Sequence, residues 1–138
     1  AYLIDILPII ILLAGIGYFF FGFDEVLSEY FYNRRDIASR AEFILHRNRI
    51  RNLSFAIWVV YCIFAEASSY QGSLGKRIMG IKVVDYEGNP LTKRQSIIRN
   101  ITKILSAGAI LGGFFWILFD KKRQGWHDKT AKTLVIDR

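Results

Sequence analysis

The chain has 138 residues, which is room for one domain, and its formal net charge is +7. Lys and Arg lie beside apolar runs and form no folded basic stripe, which argues against nucleic-acid binding and indicates the positive-inside pattern of membrane proteins. Apolar residues make up 52% of the chain and are concentrated in the runs 2–23, 55–70 and 97–119, whereas a soluble domain would interleave them with polar residues. We therefore predict an integral membrane protein whose partner is the lipid bilayer and which binds no nucleic acid.

Side chains suited to catalysis or metal binding are few. Cys62 is the single cysteine and lies in an apolar run, so we expect a small buried side chain, no disulfide and no thiolate metal site. His127 and Asp128 are adjacent, but no third catalytic group or metal-ligand spacing accompanies them. We predict that the chain is not an enzyme and needs no cofactor or metal. Asp128 is expected to cap a turn or to pair with Arg77 or Arg99.

Residues 2–23 are predicted to form the first spanning helix, because roughly 20 apolar residues are needed to cross a bilayer. The run lacks the basic start and the cleavage pattern of a secretory signal, so we expect it to remain as an anchor. Asp5 is its one charged residue, and we expect it to face protein. Two roles are open for Asp5: a protonatable or cation-binding carboxylate, or a structural ion pair with Arg99, Lys103 or an arginine upstream of residue 1.

The next two segments are also predicted to be helical. Residues 24–52 have apolar residues at near-helical spacing between arginines, which favours an amphipathic helix that either lies among the headgroups or continues the first helix out of the membrane. Residues 53–70 form the second predicted spanning helix. Glu66 lies late in this helix and is either a functional or paired carboxylate like Asp5, or a wet side chain that reaches the surface.

Residues 71–95 are predicted to form a membrane-surface segment followed by a strand. Gly75 and Gly80 flank Lys76 and Arg77, a pattern typical of a short helix with a capped end. The two cations are expected either to anchor the chain at anionic lipid headgroups or to bind a lipid phosphate or an anionic substrate. The spacing is not that of a nucleotide-binding loop.

Two β-branched runs, 81–85 and 133–137, are predicted to pair as strands. Pairing puts the loop after the second helix and the C-terminal tail, 120–138, on one side of the membrane, so the helical segment 96–119 must then be re-entrant or interfacial. With two spans, one side carries 13 Lys and Arg residues and the other six, whereas three full spans would give 7 against 12. The positive-inside rule tolerates both arrangements, and strand pairing favours re-entry.

These segments define the predicted fold class. We predict an all-α integral membrane protein with two transmembrane helices, a third helical segment that is spanning or re-entrant, and a small two-stranded β cap at the cytoplasmic face, all in a single domain, 1–138. Gly108 and Gly112 in the third segment have the spacing of a helix contact, within this chain or with a partner.

Five blocks of sequence carry a resemblance to a known family: AYLID at 1–5, GSLGKRIMGIKVVD at 72–85, IRN at 98–100, WHD at 126–128 and TLV at 133–135. Together they resemble the RDD family of small bacterial membrane proteins over nearly the whole chain. The resemblance identifies Asp5 and Asp128 as the two aspartates of the family name. The arginine of that name has no counterpart among residues 1–4, and the segment 24–52 is longer than the family leads one to expect.

The resemblance implies a multi-pass protein of the bacterial inner membrane, and the charge pattern puts the C-terminal tail in the cytoplasm. Transport is the usual suggestion for the family, with cation/proton antiport proposed for some members, so we expect ion or small-solute transport by a homo-oligomer through intramembrane carboxylates. The alternative is a non-catalytic accessory or assembly subunit of a larger membrane complex. The residues expected to form a functional or structural polar network are Asp5, Glu66, Lys76, Arg77, Arg99, Lys103 and Asp128, and the glycines expected to pack closely are Gly75, Gly80, Gly108 and Gly112.

Overall fold

The computed structural model describes residues 1–108, 120 and 124–138. These residues divide into two compact units, an N-terminal unit of Tyr2–Trp58 and a C-terminal unit of Ala1 and Val59–Arg138. The elements, in chain order, are α1 (Tyr2–Phe20), α2 (Phe23–Tyr32), α3 (Ile37–Glu66), α4 (Leu74–Ile78), β1 (Ile81–Asp85), α5 (Lys93–Gly108), α6 (Trp126–Ala131) and β2 (Thr133–Asp137).

Helix α1 is the most apolar element of the N-terminal unit, and it ends before residue 23, the predicted end. Gly22 has a φ of 67°, a left-handed conformation that side chains rarely adopt, and this residue separates α1 from α2. Among the helices of the described ranges, α1 alone is long and apolar enough to cross a membrane, with a mean hydropathy of 2.4 and 11% of its residues buried. That the apolar half of α3 also spans the bilayer stays a prediction.

The charged segment 24–52 differs from the predicted single amphipathic helix, because it forms α2 and the first half of α3. The carboxylate of Asp36 accepts a hydrogen bond from the N–H of Ser39 at 2.8 Å, the N-cap bond that starts a new helix at this point. The rings of Tyr30 and Phe43 stack with their centroids 4.3 Å apart. Helix α2 therefore packs against α3 after the break.

Helix α3 continues from the charged segment into the second apolar run without a break and ends at Glu66, before the predicted end at residue 70. The cause is local hydrogen bonding. The carbonyl of Ala65 accepts from the hydroxyl of Ser68 at 2.7 Å and from the N–H of Gly72 at 3.2 Å, so donors outside the helix satisfy its last turn. The predicted boundary at residue 53 is consequently not a structural boundary.

Helix α4 and the two strands lie in the C-terminal unit. The hydroxyl of Ser73 accepts from the N–H of Lys76 at 3.5 Å and caps α4, and Gly80, with a φ of 71°, ends the helical turn and leads into β1. Strands β1 and β2 pair antiparallel, with Val83 opposite Val135. This pairing joins the two β-branched runs of the sequence; that the sheet lies at the cytoplasmic face stays a prediction.

Helix α5 begins at Lys93, earlier than the predicted start at residue 96. Thr92 and Gln95 form a reciprocal cap: each backbone N–H donates to the other side chain, at 2.9 and 3.2 Å. The rest of the predicted third segment, 109–119, lies outside the described residues. The choice between a span and a re-entrant segment, and the predicted contact at Gly112, therefore stay predictions.

Burial in the described part of the chain is inverted relative to a soluble protein. Twelve of its buried side chains are polar or charged and seven are apolar, although protein interiors are normally apolar. On α5 the exposed residues Ile97, Ile101 and Ile104 follow helical spacing, whereas Arg99 and Asn100 point inward and are buried. This arrangement suits apolar surroundings in which lipid covers the apolar side chains.

We expect Gly75→Ala to destabilise the C-terminal unit. A Cβ atom at residue 75 would overlap the backbone of Ala1, and relieving such overlap typically costs about 1–3 kcal/mol. The matched control is Gly15→Ala in α1, where an added Cβ meets nothing within 4 Å. Thermal unfolding of the detergent-purified protein measures the effect. Equal midpoints for the two variants would contradict the close contact at Gly75.

Candidate functional site

The carboxylate of Glu66, the last residue of α3, is fully buried at the centre of a polar cluster in the C-terminal unit. Its Oε1 accepts hydrogen bonds from the ammonium groups of Lys76 and Lys103, the second at 2.9 Å. Its Oε2 accepts from Nδ2 of Asn100 at 3.1 Å and lies 3.5 Å from Nη1 of Arg99. Three cations supplied by α4 and α5 therefore surround one carboxylate.

Helix α5 contributes to this cluster through its spacing. Ser96, Arg99, Asn100 and Lys103 recur every three or four residues and so share one face. The hydroxyl of Ser96 donates to the carbonyl of Ile63 at 2.8 Å and attaches this face to the last turn of α3. Nζ of Lys103 also donates to Oδ1 of Asn100 at 3.1 Å. The polar face of α5 is thus both positioned and hydrogen-bonded internally.

Lys76 reaches the carboxylate from α4, the short helix that Ser73 caps. Burial, the largest cause, and the nearby Lys103 cation lower the pKa of Lys76 from 10.5 to about 8, while the Glu66 carboxylate opposes the shift. Its side chain stays 13% exposed. Lys76 is therefore the cation of the cluster that loses its proton under mildly alkaline conditions.

Helix α6 adds a second carboxylate. Oδ2 of Asp128 accepts from the N–H of Gly125 at 3.2 Å, the bond that caps α6, and Oδ1 pairs with Nη2 of Arg99 at 2.7 Å. Nε2 of His127 lies 3.3 Å from Oδ2 of Asp128. Burial lowers the pKa of His127 from 6.5 to about 4, with the Asp128 carboxylate opposing, so the imidazole is neutral at neutral pH. We refer to Glu66, Lys76, Arg99, Asn100, Lys103 and Asp128 as the Glu66 network.

Arg99 links the two carboxylates of the network and is only 2% exposed. Its Nη2 is paired with Asp128, but Nε and Nη1 have no hydrogen-bond acceptor in the part of the chain that the structure describes. A buried N–H without an acceptor costs about 1–3 kcal/mol. The guanidinium is thus charge-paired with both carboxylates, whereas its Nε and Nη1 donate no hydrogen bond to a described residue.

The chemistry open to this network follows from how its carboxylates are occupied. Both already contact cations of the chain, so a metal ion would have to displace Lys76, Lys103 or Arg99. Across residues 1–108, 120 and 124–138, no group of three or more His, Cys, Asp or Glu side chains could hold a metal ion. The network is better suited to changes in protonation and to contacts with anions.

The structure brings together five of the residues that the sequence placed in a polar network: Glu66, Lys76, Arg99, Lys103 and Asp128. One alternative for Glu66 was a hydrated side chain that reaches the surface. This alternative is wrong, because the carboxylate is fully buried. Of the roles expected for Asp128, the turn cap and the pairing with Arg99 both occur. Asn100 was not predicted as a network residue, although its position one residue after Arg99 on the same helical face was a usable signal.

Arg77 and Asp5 are placed elsewhere. Arg77 is exposed and its guanidinium lies 4.4 Å from the centroid of the Tyr70 ring, so this residue differs from the prediction that grouped it with the network. Asp5 is buried in the first turn of α1, in the N-terminal unit. Its predicted pairing with Arg99 or Lys103 stays a prediction.

Replacing the central carboxylate should destabilise the protein strongly. Glu66→Gln keeps the shape of the side chain but leaves Lys76 and Lys103 without their counter-charge and Arg99 paired with Asp128 alone, which should lower the free energy of unfolding by about 3–5 kcal/mol. Glu87→Gln makes the same chemical change at an exposed turn and should stay within about 0.5 kcal/mol of the original protein. Denaturant unfolding in detergent compares the two. A Glu66→Gln variant as stable as the control would show that the network does not stabilise the fold.

Stability should also depend on pH through His127. Between pH 4 and 6.5 the unfolded chain binds a proton at this imidazole and the folded chain does not, so the free energy of unfolding falls as the pH drops through this window. The contribution of this site is about 3 kcal/mol, fully present above pH 6.5. Unfolding of His127→Gln at several pH values should show a shallower slope, and His46→Gln in the other unit should keep the original slope. An unchanged slope in His127→Gln would contradict the assignment.

Comparison with known proteins adds the family. A model described as the RDD family matches residues 1–132. The chain is 39% identical over 84 residues to the uncharacterized protein YxaI of Bacillus subtilis (strain 168), an alignment that covers 61% of this chain and 55% of the relative. It is 29% identical over 115 residues to the uncharacterized protein RP437 of Rickettsia prowazekii (strain Madrid E), covering 83% of this chain and 64% of the relative.

The chain therefore spans less than two thirds of the length of either relative. No solved structure matches it. The family match covers nearly the whole chain and includes four of the five sequence blocks, all but the one at 133–135. The family predicted from those blocks is therefore confirmed. The chain belongs to the RDD family, whose members are membrane-associated.

Proposed function

We propose that this chain is a subunit of an ion-transport pathway in the bacterial inner membrane and works as a homo-oligomer, with the buried network centred on the Glu66 carboxylate as its charged site. The observation that carries the proposal is the full burial of the Glu66 carboxylate among three cations in a membrane-associated family. A buried ion network is often no more stable than apolar packing of the same volume. Ionisable groups inside membrane proteins commonly mark ion or proton pathways.

The geometry provides two charge states that differ in which cations are held. Lys76 and Lys103 both donate to the same oxygen, Oε1 of Glu66. Loss of a proton from Lys76, whose pKa is lowered to about 8, leaves Oε1 paired with Lys103 alone, whereas Arg99 keeps its contact with Asp128. Release of one proton therefore changes the charge of the network while its other ion pairs stay in place, which is the type of switch that couples a proton to another ion.

The oligomer is part of the proposal because of how transport sites are built. Transport sites commonly lie between repeated helical bundles, and this sequence has no internal repeat. The exposed face of α5, formed by Ile97, Ile101 and Ile104, offers an apolar surface for a second copy or for lipid. We further propose that the tail is cytoplasmic and that the exposed Arg77 lies among anionic headgroups, following the charge pattern.

The proposal predicts proton-coupled flux. Proteoliposomes containing the chain and a pH-sensitive dye should dissipate an imposed pH gradient faster when a salt of the transported ion is added. Glu66→Gln and Asp5→Asn should abolish this acceleration. Glu87→Gln should retain it. Size-exclusion profiles matching the original protein establish that loss of flux is not loss of fold. Unchanged flux in both acidic-site variants would overturn the assignment.

The alternative is a non-catalytic accessory or assembly subunit of a larger membrane complex. The exposed apolar face of α5 favours this alternative, since an unrelated membrane protein could cover it as well as lipid does. The same experiment separates the two functions. Absence of flux with every salt, together with a stoichiometric unrelated partner in affinity purifications from native membranes, would establish the accessory function instead.

A further inference from the structure

The ionised groups of the Glu66 network do not balance. Lys76, Arg99 and Lys103 supply three positive charges, and Glu66 and Asp128 supply two negative ones. His127, which lies beside Asp128, is neutral at neutral pH and adds no charge. One positive charge is therefore left over in a buried environment.

The remaining acids of the C-terminal unit do not supply the missing charge. Asp120 pairs with Lys129 at 2.6 Å, Glu87 and Asp137 are exposed, and Asp85 accepts hydrogen bonds from its own turn at residues 87 and 89. The segments 109–119 and 121–123 contain no Asp or Glu. Within this unit, then, no carboxylate of the chain compensates the excess.

A second observation concerns hydrogen bonding rather than charge. Nε and Nη1 of Arg99 donate no hydrogen bond to any residue of the described ranges, although the side chain is only 2% exposed to solvent. The missing partner of a guanidinium N–H is an acceptor, and the strongest acceptors for it are anionic. An anionic acceptor would therefore complete both the hydrogen bonding of Arg99 and the charge balance of the network.

The network can be reached from outside. The side chains of Lys76 and Lys103 are 13% and 16% exposed, whereas the Glu66 carboxylate between them is completely buried. The two ammonium groups therefore form the accessible edge of the cluster, and the guanidinium forms its interior. An incoming ligand would meet positive charge first, which favours anions and repels metal cations.

From these observations we propose that the Glu66 network is a binding site for a small inorganic anion, a halide or an oxyanion such as phosphate, held by Arg99 together with Lys76 and Lys103. The inference rests on the proposed transport function only in naming the ion that this site would select; binding itself does not depend on flux. The competing way to remove the excess charge is loss of a proton from Lys76. The two differ in a measurable way, because a bound anion stabilises the protonated lysine and raises its pKa.

The test uses the full chain in neutral detergent at constant ionic strength, with chloride or inorganic phosphate replacing gluconate. We expect each probe to raise the thermal unfolding midpoint with saturation, and to raise the pKa of Lys76 followed by NMR of its side chain. Lys103→Gln removes one cation and makes the network neutral, so it should weaken the apparent affinity by about tenfold or more while the protein still folds. Lys129→Gln removes a cation of the same unit outside the network and should leave the affinity unchanged.

Saturable binding that Lys103→Gln weakens and Lys129→Gln does not supports the site. Equal responses in all three proteins indicate non-specific salt effects and overturn it, as does a Lys76 that titrates near pH 8 whether or not the probes are present. The source of the anion is tested by repeating the measurement in gluconate with nanodiscs of phosphatidylglycerol and of phosphatidylcholine. A higher unfolding midpoint in the anionic phosphatidylglycerol alone assigns the bound anion to a lipid phosphate. Anion binding without flux would overturn the transport proposal and leave the anion site supported. Proton-coupled cation flux that chloride and phosphate do not affect would overturn the anion site and leave the transport proposal supported.

Discussion

The constraint on which the C-terminal unit depends is the burial of one carboxylate. A charged group removed from water costs several kcal/mol unless partners replace its hydration, and Glu66 obtains those partners from two other helices. Helix α4 has five residues and is held by a single Ser73 cap, yet it places an ammonium group against Oε1. Helix α6 has six residues and places Asp128 against Arg99. These elements are too short to be stable alone, so their positions are fixed by the charges that they carry.

The burial of this carboxylate also explains why α5 turns its polar face inward and its apolar face outward. An amphipathic helix in water turns its apolar stripe inward, but α5 turns Arg99, Asn100 and Lys103 inward and leaves isoleucines outside. The choice is consistent with apolar surroundings, where contact between apolar side chains gains little over contact with lipid, while an isolated polar group finds no water. Specificity of packing in this unit therefore comes mainly from hydrogen bonds and ion pairs, which are directional.

The sequence predicted the family, the helical character and most members of the network, and it failed where neighbouring residues carry the same signal. Lys76 and Arg77 are both basic and adjacent, but on a five-residue helix they point in different directions, one to Glu66 and one to the Tyr70 ring. Sequence spacing alone does not give the rotation of so short a helix about its axis. Helix bounds also differed, because apolar runs mark where a helix can be buried in lipid, whereas side-chain caps such as Asp36 and the Thr92 pair determine where it begins.

The order of the network along the chain has a consequence for biosynthesis. Glu66 leaves the ribosome first, Lys76 follows shortly after, and the cations of α5 and the carboxylate of α6 follow much later. During that interval the growing chain holds a carboxylate with one counter-ion out of three. A nascent segment in this state is not yet committed to a dry environment, so the end of α3 can remain hydrated until α5 is complete. Completion of α5 then makes dehydration favourable, and α6, which follows α5 along the chain, orients the guanidinium through Asp128.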